Sequence, residues 1–166
     1  MIRIGEVPVS DANVVRSIAR TVFDNMPPHK PDAEDYAWLL PDGKRIVIGA
    51  YENTSLVGFC TVDNLEQFLD LTHVPDSPPN TCYVSALALE PEMRDRHIGT
   101  RMLKSAVLEA KKAQWNYISG HFRENASTKA AVTCFRATAG GIIKSERVRD
   151  HLGSSEIYHY MLARIR

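Results

Sequence analysis

Residues 84–103, VSALALEPEMRDRHIGTRML, constrain the fold of this chain more than any other stretch. An apolar run with strand character passes through a short proline turn into a helix whose apolar residues recur at helical spacing. An apolar strand, a short turn and an amphipathic helix in that order fit a layer of sheet with helix packed against it. The same stretch puts a helix start directly beyond a strand. The first N–H groups of a helix have no partner inside it, and the dipole favours negative charge there, so 94–100 reads as an anion site suited to a phosphate.

The remaining elements can be read along the chain. Residues 2–7 alternate as a strand. Ser10 or Asp11 caps a helix through about residue 25, with Val14, Val15, Ile18, Val22 and Phe23 on its apolar side. The sequence MPPHKP at 26–31 cannot continue that helix. A second short helix over 32–40 ends at Pro41-Asp42-Gly43, a turn that leads into strands 45–51 and 56–62. Strand 81–89 precedes helix 98–113, in which Met102, Leu103, Ala106, Val107 and Ala110 form one buried face. Strand 116–122 and helix 126–139 follow; Gly140-Gly141 stops the helix, and strands 142–148 and 156–165 close the chain.

The 94–99 segment resembles the acyl-CoA pyrophosphate loop of the GNAT acyltransferase superfamily, whose motif reads Arg or Gln, two residues, Gly, one residue, then Gly or Ala. Arg94, Gly99 and the upstream LALEPEMR match it, and His97 stands where the motif has its first glycine. The resemblance implies one domain over 1–166 of α/β (α+β) class. Its mixed, mostly antiparallel sheet would have roughly six to seven strands, splayed between the fourth and fifth and flanked by about four helices. It implies an enzyme, an N-acyltransferase that moves an acetyl group from acetyl-CoA, or another acyl from its acyl-CoA, to a primary amine by direct attack. It further implies that the backbone of Arg96, His97, Ile98, Gly99 and Thr100 binds the pyrophosphate. Leu87 and Leu89 would offer main-chain groups to the pantetheine as if to an added strand. Arg94 or Arg96 would add charge. Asn125 would contact the pantetheine arm or cap the following helix. The His97 imidazole must then point outward or donate to a phosphate itself.

Acyl transfer to an amine also needs a route for the ammonium proton. By the same resemblance Tyr83 and Ser85 fall where several relatives carry acceptor-facing Glu or His residues. Strict period-two alternation sets 83, 85, 87 and 89 on one face and Cys82, Val84, Ala86 and Ala88 on the other. Tyr83 is therefore the catalytic candidate, with Ser85 a relay; a buried packing ring is the other reading of Tyr83. His121 and His151 are further base candidates. Many relatives carry a tyrosine near the end of their fourth helix to protonate the leaving thiolate, but this chain has Phe135, Arg136 and Ala137 there.

Composition narrows the partners. Twenty basic residues balance twenty acidic ones without a block of one sign, which does not support a nucleic-acid footprint. Cys60, Cys82 and Cys134 lie in apolar stretches without CxxC spacing and read as reduced core thiols, not as a metal or disulfide site, in a cytoplasmic protein. No stretch approaches the ~20 apolar residues of a membrane helix, so no membrane partner is expected. The insertion over 64–80, with Pro75, Pro78 and Pro79, reads as a surface loop, a lid over the acceptor or a homodimer contact. The acceptor stays open among a small amine, an amino acid, an antibiotic and a protein amino group. Two other classes are an acyl-CoA sensor of the same fold and an unrelated α+β interaction protein. Thermal shift with acetyl-CoA and release of free CoA separate them.

Overall fold

A computed structural model describes residues 1–23, 36–68, 77–94, 96–124, 126–149 and 157–165. Seven strands, β1 (Ile2–Glu6), β2 (Ile46–Glu52), β3 (Ser55–Asn64), β4 (Thr81–Leu89), β5 (Tyr117–Arg123), β6 (Ala139–Val148) and β7 (Tyr158–Ile165), form one sheet in the order β1-β2-β3-β4-β5-β7-β6. All neighbours are antiparallel except β4 and β5. A parallel pair needs a crossover, and helix α2 (Ile98–Lys112) supplies it. Its buried stripe is Ile98, Met102, Leu103, Ala106, Val107 and Ala110. With α3 (Ala126–Thr138) it covers one sheet face, where Ile48, Cys60, Val62, Cys82, Val84 and Phe122 meet it.

Helix α1 (Ala12–Phe23) packs on the opposite face through Val15, Ile18, Ala19 and Val22. Val14 was expected on that stripe and instead is 41% exposed, because 15, 18, 19 and 22 already define a stripe that 14 lies beside. The expected short helix over 32–40 is, where described, a single 3-10 turn at Ala37–Leu39; residues 32–35 lie outside the described residues. The described residues thus hold three α-helices and several 3-10 turns. Gly140 and Gly141 do not cap α3. The helix ends at Thr138, the chain enters β6 directly, and Gly141 takes φ +100° where the β6–β7 register slips between Ala139 and Ile142.

The even alternation expected for β4 also fails. Thr61 pairs with Ala86 but Val62 pairs with Val84, so Ser85 is an extra residue with no partner on β3. The bulge reverses which way later side chains face. Leu87 and Leu89 share the α2 face with Cys82 and Val84, whereas Tyr83, Ala86 and Ala88 lie on the α1 face.

Cys60, Cys82 and Cys134 are all buried. Burial pushes the thiols of Cys60 and Cys82 up, that of Cys82 to about 12.

Arg45 fixes the turn beside the α1 face. Its Nε donates to Asp63 Oδ2 at 2.6 Å, and its Nη1 donates to the carbonyls of Leu40 at 2.9 Å and Ala37 at 3.2 Å. Side-chain exposures of 17% for Arg45 and 11% for Asp63 make this a partly buried pair. Arg45→Met keeps the stem but strands a carboxylate and two carbonyls, so unfolding free energy should fall by about 2–4 kcal/mol. Urea denaturation measures it; a loss under about 1 kcal/mol would mean the pair behaves as a surface ion pair.

Candidate active site

The sheet opens at its middle. Thr81, Cys82, Tyr83 and Val84 pair with Tyr117, Ile118, Ser119 and Gly120, yet β4 runs on to Leu89 and β5 to Arg123 with no further pairing between them. On its other side β4 stays paired with β3 as far as Leu89, opposite Gly58. Residues 85–89 therefore present a strand edge that no described strand covers. Such an edge accepts an added chain carrying amide groups. Packing maintains the opening: a Cβ at Gly120 would lie 2.9 Å from the Phe122 ring and 3.2 Å from Val84 Cβ, so Phe122 fills the floor where the strands part.

The edge leads to the start of α2. After a 3-10 turn at Pro91–Met93, Arg94 is extended and exposed, and His97 is the N-cap of α2 at φ 56°, ψ 16°. This is the left-handed conformation that glycine adopts freely, held here by a histidine whose side chain makes no capping bond. The first helical bond runs from Arg101 N–H to the His97 carbonyl, so the N–H groups of Ile98, Gly99 and Thr100 stand ahead of the helical ladder. Ile98 is buried and anchors the turn from below. A Cβ on Gly99 would meet only Leu87 Cδ2, at 3.8 Å, so packing does not require a glycine there. Arg96 is turned toward the β2–β3 hairpin, with Nη1 3.6 Å from Glu52 Oε1 and 3.1 Å from Met93 Sδ.

At the closed end of the opening lies a cluster of rings. Tyr83 Oη is 2.9 Å from His121 Nδ1. His121 is the first β5 residue beyond the pairing with β4. Tyr83 also stacks against Phe68 at 5.1 Å between centroids, and Trp38 meets Phe68 edge-on at 6.3 Å. His121 packs on Tyr160 of β7, its direct cross-strand partner, at 5.1 Å. Burial pushes the Tyr83 phenol well above its ordinary range, so it stays protonated at neutral pH. Ser85 is not joined to this pair; its Oγ donates to the Thr61 carbonyl at 3.3 Å. Tyr160 escaped sequence reasoning, for only the β5–β7 register brings it beside His121. Asn125 and His151 lie outside the described residues.

The sequence profile of the Acetyltransferase (GNAT) family matches residues 12–135. The chain belongs to the GNAT acetyltransferase family. It is an acyltransferase, and the reading as an unrelated α+β interaction protein falls away. No curated protein sequence matches the chain. Among solved structures it is similar to NAA60 of Arabidopsis thaliana in complex with acetyl-CoA, at 17% identity and TM-score 0.69, covering 99% of this chain and 100% of that one. It is similar to the ribosomal-protein-S18-alanine N-acetyltransferase of Escherichia coli, at 14% identity and TM-score 0.67, covering 99% and 94%. It is also similar to aminoglycoside 6'-acetyltransferase type Ii, at 16% identity and TM-score 0.66, covering 99% and 97%. These likenesses bear on the fold, and the GNAT splay is the opening between β4 and β5. Among the described residues no helix is long and apolar enough to cross a membrane.

Two substitutions probe the α2 start. Gly99→Val should fold normally, since its Cβ meets only a flexible leucine methyl, but should weaken acetyl-CoA binding by at least about tenfold by crowding the N–H groups. Unchanged affinity by calorimetry would remove the cradle from the loop. His97→Gly relieves a left-handed residue and should raise unfolding free energy by up to about 1 kcal/mol, with acetyl-CoA affinity equal or tighter. A drop in affinity that deepens at low pH would instead make the imidazole a phosphate donor.

Proposed function

We propose that this GNAT enzyme transfers an acetyl group, from acetyl-CoA or another short acyl-CoA, to a primary amine by direct attack, with Tyr83 and His121 carrying the amine's proton. The observation that carries this reading is the 2.9 Å contact between Tyr83 Oη and His121 Nδ1 at the point where β4 and β5 part.

The residues present suit an acyl-CoA. The N–H groups of Ile98, Gly99 and Thr100, with open space in front of Gly99, would take the pyrophosphate. Arg94, exposed beside them, adds positive charge, whereas Arg96 would first have to leave Glu52. The open β4 edge from Leu89 back to Ser85 spans roughly 13 Å at the usual strand rise, a track along which an amide-bearing arm can run. When bound, the acyl-CoA supplies an acyl group already activated as a thioester.

The chain's own residues then handle the proton. A neutral phenol beside an imidazole nitrogen can pass its hydrogen to Nδ1 while accepting one on its oxygen. The amine's proton thus enters at Tyr83 Oη and the charge comes to rest on the His121 ring, which Tyr160 and Tyr83 flank. Burial keeps the phenol protonated, so it relays and does not act as a standing phenolate base. No phenol is offered by α3, where Phe135 is buried and Arg136 is exposed. A thiol's pKa of about 8.5 makes thiolate a tolerable leaving group near neutrality without one.

Tyr83→Phe and His121→Asn should each lower turnover at least about tenfold, measured as free thiol released from acetyl-CoA across a panel of primary amines, with acetyl-CoA affinity unchanged. Wild-type turnover in either variant would reduce that residue to packing.

A further inference from the structure

Tyr160 has more constraint on it than the core requires. It is fully buried in β7, directly opposite His121 across an antiparallel pair, so the two side chains share a face. Their rings lie 5.1 Å apart at 49°. The phenol oxygen reaches past the strands to Ser77 Oγ at 3.1 Å. Ser77 belongs to the segment leading into β4, which a second bond, Thr81 Oγ1 to the Pro78 carbonyl at 2.6 Å, holds against the strand start. A buried phenol is thereby fixed at both ends, by stacking at the ring and by hydrogen bonding at the oxygen.

From this arrangement we infer that Tyr160 and Ser77 are positioning residues that set the plane of the His121 imidazole. The inference rests on the Tyr83–His121 reading above. An imidazole has a broad, two-fold torsion about its ring bond, and a half-turn would replace Nδ1 with a carbon at the Tyr83 hydroxyl. Tyr83 contacts His121 from one side, 5.9 Å between centroids and edge-on, and Tyr160 from another. A Tyr160 ring that cannot swing leaves the imidazole one plane. Ser77 acts through Tyr160 and touches neither member of the proton-carrying pair among the contacts described. The Trp38, Phe68 and Tyr83 stack supports the phenol side in the same way, so the relay is braced from both ends.

The test uses the full chain with Ser77→Ala, Tyr160→Phe and the double variant, which delete either or both hydroxyls and keep the ring. Turnover of acetyl-CoA with the best amine of the panel should fall about threefold to tenfold in each single variant, with acetyl-CoA affinity unchanged. The NMR titration midpoint of the His121 ring, identified by its loss in His121→Asn, should move in the same direction in both. The double variant should be no worse than the poorer single one, because both remove one interaction, and Ser77→Thr should restore turnover. A lower melting temperature with wild-type turnover and midpoint would overturn the proposal, as would losses that multiply in the double variant. If His121→Asn keeps wild-type turnover, the catalytic reading fails on its own. The His121 midpoint, which needs no acceptor, still decides whether Ser77 and Tyr160 hold the ring.

Discussion

The pairing of β4 with β5 stops after Val84 and Gly120, and the rest of the molecule is arranged around that interruption. A parallel pair in the middle of a sheet normally continues for the length of its strands, because each further residue satisfies backbone groups that burial would otherwise leave unpaired. Here the strands are driven apart instead. The Phe122 ring occupies the space a side chain at 120 would need, the bulge at Ser85 bends β4, and β3 holds the far edge of β4 in place as far as Leu89. The result is an edge inside a sheet, not at its margin, so it is protected from pairing with other chains while staying open to a narrow ligand.

That interruption puts two unlike environments at the ends of one strand. At the β4 C-terminal end the α2 start is exposed, polar and cationic, with Arg94, Arg96 and His97 in contact with water. At the closed end Tyr83 and Tyr160 are buried among aromatic rings and titrate upward because of it. On the proposed reading, charge would be bound where water screens it and the proton handled where water is scarce. The bulge matters to both ends. Without the extra residue at 85, either Leu87 and Leu89 would face α1 or Tyr83 would face α2, and the ring cluster and the packing of Leu87 on the α2 face could not coexist.

Much of this was legible in the sequence where the signal is local. The α2 stripe is readable because six buried positions repeat at helical spacing, and Thr81–Leu89 is readable because its apolar run is bounded by the PPN turn and Pro91. The candidate anion loop is contiguous in the chain, and His97 takes a left-handed backbone conformation of the kind glycine adopts freely. The bulge was not legible. VSALAL is apolar on both sides, so a strand covered on both faces carries no alternation for an extra residue to break. Gly140 and Gly141 look like a helix stop and serve as a strand bulge, since glycine permits both. Tyr83 and His121 were each singled out, but their contact spans 38 residues and exists only through the β4–β5 register. Tyr160 needs a second strand register as well, and nothing near it in the sequence marks it.

The burial of the three cysteines has a practical side. Reagents that label sulfur attack the thiolate, and Cys60, Cys82 and Cys134 are both shielded from solvent and, for Cys60 and Cys82, resistant to ionisation. Folded molecules are therefore silent to a sulfhydryl dye, so any colour that develops during a reaction belongs to released coenzyme and none to the polypeptide. The same three groups come into view together once the sheet separates from α2 and α3. The protein carries a built-in counter of its own unfolded fraction, and the rate at which dye accumulates in the absence of substrate measures how often the core opens.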